Sequence, residues 1–278
     1  MKNIFHTLIS AFIVFFIQSQ QILAESNFKF NNSNDNIKDQ IWSRYWNSND
    51  GLDLLNKSQY NGDFYRLINF YQPQINPLYC SAATSAIILN ALHYGNIQNQ
   101  AASQTTLPIE LGGGFKEFPL YTQEYFFNNK TDNIKNRHII NLEAPKEIKY
   151  RRKVYDPGVN LADLNKILTE IYDLEVTINY ADKITEEALN NFRQTIREIL
   201  ADDKRYLIVN FDGRILGKKT HGHTSPLVAF NEKEDAILVL DVALHKNRWY
   251  WSKLEQVYKA MNTKDGDNYR GYLIVGKK

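Results

Sequence analysis

A single cysteine, Cys80, stands in a chain of 278 residues. It excludes an internal disulfide framework and any zinc or iron–sulfur site built from several cysteines. The fold must therefore come from a hydrophobic core, and a chain of this length can bury a sizeable one. Lys and Arg number 33 against 31 for Asp and Glu, a formal charge of +2. That balance leaves no basic footprint for nucleic acid and no disordered acidic tail. A mean hydropathy of −0.47 excludes a protein that crosses a membrane many times.

The N-terminus joins a basic residue, Lys2, to an apolar run from Leu8 to Ile17, and Ile22-Leu23-Ala24 follows as a small-residue cleavage site. A core of about ten apolar residues is half of the roughly 20 that a spanning helix needs, so residues 1–24 read as a signal peptide. The mature chain is expected to be exported, periplasmic or secreted, with no membrane partner after cleavage. Residues 25–50 are rich in Asn, Ser and Asp, with Ile41, Trp42 and Trp46 interspersed, and read as a polar linker that docks through those apolar residues. Residues 51–278 show no repeat and no long Pro- or Ser-rich break, which predicts one catalytic domain.

Hydrophobic spacing changes character along that domain. Cys80 to His93 is apolar and alanine-rich, follows Pro73 and Pro77, and predicts a buried helix. Leu161, Leu164, Leu168 and Ile171 keep helical spacing, as do Leu189, Phe192, Ile196 and Ile199 behind a capping Thr185. Short β-branched and aromatic runs follow: Tyr206–Asn210, Ser225–Phe230, Ala236–Val242 and Tyr272–Val275. Helices first and strands later predict an α+β domain rather than a doubly wound sheet.

Cys80 falls at the start of its predicted helix, where unpaired backbone N–H groups and the helix dipole favour the thiolate. A buried, inert cysteine is the competing reading. His223 opens one predicted strand and Asp241 ends the next, across a turn at residues 231–235. In an antiparallel pair with that turn at its centre, the two residues face each other across the ladder. An aspartate there can accept the imidazole N–H and hold the ring for base catalysis. Gln74, six residues before Cys80, can offer its amide to an oxyanion together with the Cys80 backbone N–H. The order Cys, His, Asp, with the cysteine on an N-terminal helix and its partners on a C-terminal antiparallel sheet, is that of papain-like thiol enzymes.

Other candidates read more plainly. His221 and His223 form an H-x-H pair of the kind that ligates metals, but no further His or Cys cluster supports a metal site. His93, His138 and His245 read as structural or solvated, and Asp163 and Glu187 as solvated helix faces. Gly112-Gly113-Gly114 lacks a following Lys-Ser/Thr and reads as a surface loop.

The chain from about Leu55 to Val275 resembles the phytochelatin synthases, the glutathione γ-glutamylcysteinyltransferases. The residues that carry the resemblance are Gln74-Ile-Asn-Pro-Leu-Tyr-Cys80 with the alanine-rich helix behind it, Tyr121-Thr-Gln-Glu-Tyr-Phe-Phe127, Gly222-His-Thr-Ser-Pro226, Leu240-Asp-Val242, Ala260-Met-Asn-Thr-Lys-Asp265 and Arg270-Gly-Tyr272. The resemblance implies attack by Cys80 on the Cys–Gly bond of glutathione, loss of glycine and a γ-glutamylcysteinyl thioester on the enzyme. Hydrolysis, or transfer to a second glutathione to make phytochelatins, would then clear the thioester. His223 would move the proton, Asp241 would orient it, and Gln74 matches the family's oxyanion residue. Asp265, Arg270 and Gly222 would bind the γ-glutamyl head, a zwitterion that needs one anion and one cation. No covalently bound cofactor is implied. Heavy-metal ions, Cd²⁺ or Zn²⁺, stay open as activators or as glutathione complexes, and a homodimer stays open as the assembly.

This chain departs from the family in three places. Ser81 stands where the family usually has glycine, Leu244 and Asn247 replace an arginine and a tyrosine after Asp241, and a polar stretch from Asn133 to Arg152 looks inserted. No counterpart is expected of the cysteine-rich C-terminal extension of plant members, tied to their metal response, and the resemblance to short bacterial relatives, which mostly favour water, implies water as the main acceptor. Two other functions remain at this point. A leader-type cysteine peptidase explains Gln74, Cys80, His223 and Asp241 but not the strings around Asp265 and Arg270. A non-catalytic thiol or metal binder is poorly served by one sulfur ligand.

Overall fold

The computed structural model describes residues 41–93, 120–136, 147–149, 152–154 and 158–278, and these make one folded unit that begins at Ile41. Residues 1–24, read above as a signal peptide, most of residues 25–50, the triple glycine and His138 lie outside the described residues. Strand β1 (Ser43–Tyr45) leads into helices α1 (Asn49–Asn56), α2 (Gly62–Ile68), α3 (Cys80–His93) and the short α4 (Gln123–Phe126). A small hairpin, β2 (Glu147–Lys149) and β3 (Arg152–Val154), precedes α5 (Leu161–Lys166), which continues through a π-helical turn to Ile171. Then come β4 (Leu174–Tyr180), α6 (Glu186–Ala201), β5 (Arg205–Asp212), β6 (Gly222–Asn231), β7 (Ala236–Val239) and β8 (Tyr250–Lys253). Helix α7 (Leu254–Met261), the two-residue strands β9 (Lys264–Asp265) and β10 (Asn268–Tyr269), and β11 (Gly271–Lys277) complete the chain.

Seven strands form one antiparallel sheet in the order β1-β8-β7-β6-β5-β11-β4. Its inner strands read as nearly continuous apolar runs because both faces are covered. Along β5, Tyr206 and Ile208 belong to one core with α1, α2, α3 and α5. Leu207, Val209 and Phe211 belong to a second core with α6 and α7. Alternate side chains thus feed opposite layers, as the pleat requires. Helix α6 presents Leu189, Phe192, Ile196 and Ile199 to its core, and Thr185 caps it by accepting from the Ala188 N–H at 3.1 Å. The molecule is therefore α+β with an antiparallel sheet, but helices and strands are less segregated along the chain than their order in the sequence suggests. Both α6 and α7 fall among the strands.

Helix α3 is apolar on every side, so it cannot lie at the surface. Residues Ser81 through Asn90 are all buried, and Thr84 Oγ1 donates to the Thr224 carbonyl of β6 at 3.1 Å. That bond fixes the helix start against the strand that carries His223. At the N-terminal end, Trp46, from the stretch that reads as a linker, packs against Trp249 with tilted rings 4.9 Å apart at their centroids, and β1 pairs with β8.

The β6–β7 hairpin differs from its expected register. Asn231 pairs with Ala236, but a bulge between Leu227 and Ala229 shifts the ladder by one residue, so Leu227 pairs with Val239. Strand β7 stops at Val239 instead of Val242. Pro226 accepts from the Leu240 N–H at 3.0 Å but has no N–H to return, so pairing gives out there. The Asp241 carboxylate then accepts from the Ala243 N–H at 2.8 Å and bends the chain away. Asp241 consequently reaches His223 from beyond the strand end, not as its ladder partner.

Gly271 shows how tightly the sheet is closed beside the Arg270 position. A Cβ built on it would lie 1.9 Å from the Asn179 carbonyl oxygen, a backbone atom of β4 that cannot swing away. A Gly271→Ala variant is expected to lose about 1–3 kcal/mol of stability through forced strand separation. Urea or thermal unfolding would show it, and an unchanged midpoint would contradict this packing.

Candidate active site

A cleft of about 670 Å³ opens at the start of α3 and is lined by Gln74, Cys80, Gly222, His223, Asp265 and Arg270 among others. The fold thus brings together all the sequence-predicted site residues except Asp241, which lies buried behind His223. Pro73 and Pro77 restrict the loop before α3, and the Gln74 N–H donates to the Val242 carbonyl at 2.8 Å. The loop that leads to Cys80 is thereby stitched to the turn that follows Asp241.

Cys80 is the first residue of α3 and is partly buried. Burial pushes its thiol pKa up, yet the hydrogen bond and positive charge of His223, with hydrogen bonds at the Thr224 backbone and hydroxyl, outweigh it. The net shift is downward. For His223 the signs reverse. Burial disfavours the imidazolium, but the Asp241 charge and hydrogen bond and the Cys80 thiolate together raise its pKa. The two shifts share one cause, since each of the two groups favours the charged form of the other.

His223 Nε2 lies 2.8 Å from Asp241 Oδ1, and both side chains are almost fully buried. With Nε2 committed to the carboxylate, Nδ1 is the ring nitrogen left for the sulfur. Ser225 Oγ approaches the same Nε2 at 3.2 Å. Asp241 is held in turn from several sides. Its Oδ1 also takes the Ala243 N–H, its Oδ2 accepts from Asn247 Nδ2 at 3.1 Å, and its carbonyl accepts from the Tyr71 hydroxyl at 2.9 Å. A buried carboxylate without such donors would be costly. Asn247 appeared in the sequence only as a departure near the substrate, whereas here it supports the aspartate. Leu244, the other departure, is exposed at 51%.

The Gln74 side chain is buried, with Nε2 donating to the Asn76 carbonyl at 3.0 Å and Oε1 left without a protein partner. Its amide borders the cleft together with Cys80. A cysteine whose thiolate form is favoured by a neighbouring imidazole, in a cleft that it shares with the Gln74 amide, can attack a carbonyl carbon and return a proton to a leaving amine.

Across the cleft, the β9–β10 hairpin sets Asp265 and Arg270 side by side, with Nη2 and Oδ1 3.7 Å apart. Arg270 Nη1 donates to Thr263 Oγ1 at 3.1 Å and to the Lys264 carbonyl, while the buried Nε has no protein partner. A Cβ at Gly222 would come within 2.8 Å of Arg270 Nη2, so glycine leaves that guanidinium its place on the cleft wall. Asp212 also lies here. Its carboxyl is held below the ordinary range mainly by the hydrogen bonds of Arg214, against the opposing effect of burial. His221 precedes β6 and is exposed, while His223 is buried, so the H-x-H pair does not present one face. Among the described residues, no three His, Cys, Asp or Glu side chains come together as a metal site.

Sequence reasoning passed over Ser225, Tyr71 and Gln123. Ser225 and Gln123 sat within noted strings without a role, and Tyr71 carried no signal, since its hydroxyl reaches Asp241 across 170 positions.

Comparison with known proteins agrees with this constellation. The family model for phytochelatin synthase matches residues 42–272. Glutathione gamma-glutamylcysteinyltransferase 3 of Lotus japonicus is 26% identical over 216 residues, which cover 77% of this chain and 37% of that protein. Glutathione gamma-glutamylcysteinyltransferase 1 of Arabidopsis thaliana is 22% identical over 81% of this chain and 39% of its own length. The glutathione gamma-glutamylcysteinyltransferase of Schizosaccharomyces pombe is 29% identical over 45% of this chain and 32% of its own. The chain therefore spans about two fifths or less of each of these relatives. With a match that runs through most of the domain and includes every element that lines the cleft, the chain belongs to the phytochelatin synthase family.

Proposed function

We propose that this protein is a glutathione γ-glutamylcysteinyltransferase of papain-like fold that forms a γ-glutamylcysteinyl thioester on Cys80. The observation that carries this reading is the 2.8 Å contact between His223 and Asp241, set so that the same imidazole serves the Cys80 thiol. The Asp265–Arg270 pair on the opposite wall supports glutathione as substrate. Arg270 suits an α-carboxylate, and Asp265 suits an α-ammonium group.

In the proposed sequence, the Cys80 thiolate adds to the carbonyl carbon of the Cys–Gly bond. The resulting oxyanion is met by the Cys80 N–H and the Gln74 amide. The imidazolium of His223 gives its proton to the glycine nitrogen, the C–N bond breaks, and a thioester remains. Neutral His223 then removes a proton from water or from a second glutathione, and the Cys80 thiolate is released again. Water yields γ-glutamylcysteine, and a second glutathione yields a longer chain. Cd²⁺ and Zn²⁺ would enter as glutathione complexes, as substrate. Export rests on the charge and apolar pattern of residues 1–24.

The direct experiment is product analysis after incubation with glutathione, with and without Cd²⁺ or Zn²⁺. Free glycine is expected together with γ-glutamylcysteine, (γ-Glu-Cys)n-Gly chains, or both. A Cys80→Ala variant should release no glycine above background, and release at the wild-type rate would contradict the nucleophile.

Alkylation by iodoacetamide reads the ion pair without any substrate. An ordinary thiol, with a pKa of about 8.5, reacts slowly below neutrality because the thiolate is scarce. Cys80, lowered by His223, should keep its reactivity to lower pH than an ordinary thiol and lose it only as pH falls through its own depressed pKa. Asp241→Asn removes the charge that raises His223, so the alkylation profile should move toward higher pH. An unmoved profile would remove Asp241 from the pair.

Arg270→Lys keeps the charge but loses the planar, two-point grip. It is expected to raise KM for glutathione about tenfold, equivalent to roughly 1.4 kcal/mol, with Cys80 alkylation unchanged. An unchanged KM would place the γ-glutamyl head elsewhere.

A further inference from the structure

Gln123 is a polar side chain exposed at only 2%, at the start of α4, and it does not line the cleft. Its carboxamide spans two backbone groups of another segment. Oε1 accepts from the Ile75 N–H at 3.0 Å, and Nε2 donates to the Pro73 carbonyl at 2.9 Å. Those two groups flank Gln74, whose own N–H is bound by Val242. Three consecutive residues of the loop are therefore each tied by a hydrogen bond.

The segment that carries Gln123 is anchored in the same manner. Asn90 of α3 donates through Nδ2 to the Tyr121 carbonyl at 2.9 Å and accepts the Tyr121 N–H at 2.7 Å. Gln72 Nε2 donates to the same carbonyl at 2.9 Å. A continuous path then runs from the helix that begins with Cys80, through Asn90, Tyr121 and Gln123, to the two peptide groups around Gln74. We infer that Gln123 is a positioning residue that holds the Gln74 amide in register with the Cys80 thiol, so that the amide meets the oxygen of the same carbonyl whose carbon the sulfur attacks. The inference rests on the thioester reading above and goes beyond it by assigning the residue that sets the oxyanion donor.

The geometric demand is strict, because an oxyanion donor works only within hydrogen-bond reach of an atom that shifts as the carbonyl becomes tetrahedral. A loop released from its clamp still carries Gln74 but loses that placement. Gln123→Leu removes both bonds at similar volume, and Gln123→Glu keeps the acceptor for the Ile75 N–H while losing the donor to Pro73. A structural amide would also be missed by the fold, so the test must isolate the route through Gln74.

A double-mutant cycle does this. Glycine release from glutathione is measured for wild type, Gln123→Leu, Gln74→Ala and the double variant. Gln123→Leu is expected to lower kcat by about ten- to a hundredfold with KM within about twofold, below the about 10²–10³ loss from removing an oxyanion donor outright. In the Gln74→Ala background the same change should cost less than about twofold. The pH profile of Cys80 alkylation should not move in any of the four, and Gln123→Glu should fall between wild type and Gln123→Leu. Equal losses in both backgrounds, a KM effect alone, or a shifted alkylation profile would overturn the inference. If Gln123→Leu does not fold, Gln123→Glu takes its place in the cycle. A wild-type protein that releases no glycine would instead contradict the glutathione reading, and the cycle would then be read on acylation of Cys80 by a p-nitrophenyl ester.

Discussion

The bond between His223 and Asp241 lies where water hardly reaches, and most of the surrounding structure serves to keep it there. A carboxylate in such a place needs donors, and the Ala243 N–H, Asn247 and His223 itself supply them. The low exposure that makes the carboxylate costly also makes its charge effective on the imidazole. That charge raises His223, and His223 in turn lowers Cys80. Removing any member would leave the others buried without their counter-charge, so the three groups form one electrostatic unit.

The fold delivers this unit through two local events in one hairpin. The bulge in β6 shifts the register, and Pro226 ends the pairing, so the chain leaves the sheet just before Asp241. The turn there is closed by the Asp241 side chain, which is also the partner of His223. On the other side, α3 is apolar all round and sinks into the first core, which brings its N-terminus and Cys80 to the same point. The bond from the Gln74 N–H to Val242 joins the two halves across the cleft.

Much of this was legible in the sequence, and the gaps have physical causes. The buried helix over Cys80–His93 and the helix capped by Thr185 follow from apolar spacing and capping; the first appears with those bounds, and the second starts behind that cap and runs to Ala201. The pairing of His223 with Asp241 followed from a turn-centred ladder, but a bulge and a proline moved the register. Their contact survives because the side chains reach past the strand end. β4, with the run Leu174–Tyr180, and α7, with Leu254, Val257, Tyr258 and Met261, carried readable periods that were passed over. The roles of Asn247, Tyr71 and Gln123 were not legible. Each acts through one hydrogen bond or a pair of them to a group distant in sequence, and no local pattern encodes such a contact.

What distinguishes this site from a general thiol peptidase is the Asp265–Arg270 pair opposite the nucleophile, placed by a hairpin and closed against Gly222. The central claim is a thioester between Cys80 and the cysteinyl carbonyl of glutathione, whose γ-glutamyl head that pair would hold. It is tested most directly by acid-quenching the protein during turnover of glutathione and mapping the Cys80 peptide by mass spectrometry. The account predicts a hydroxylamine-labile adduct on Cys80 with the mass of glutathione less glycine, absent from the Cys80→Ala variant. Glycine release with Cys80 unmodified, or an adduct that retains the glycine, would contradict it.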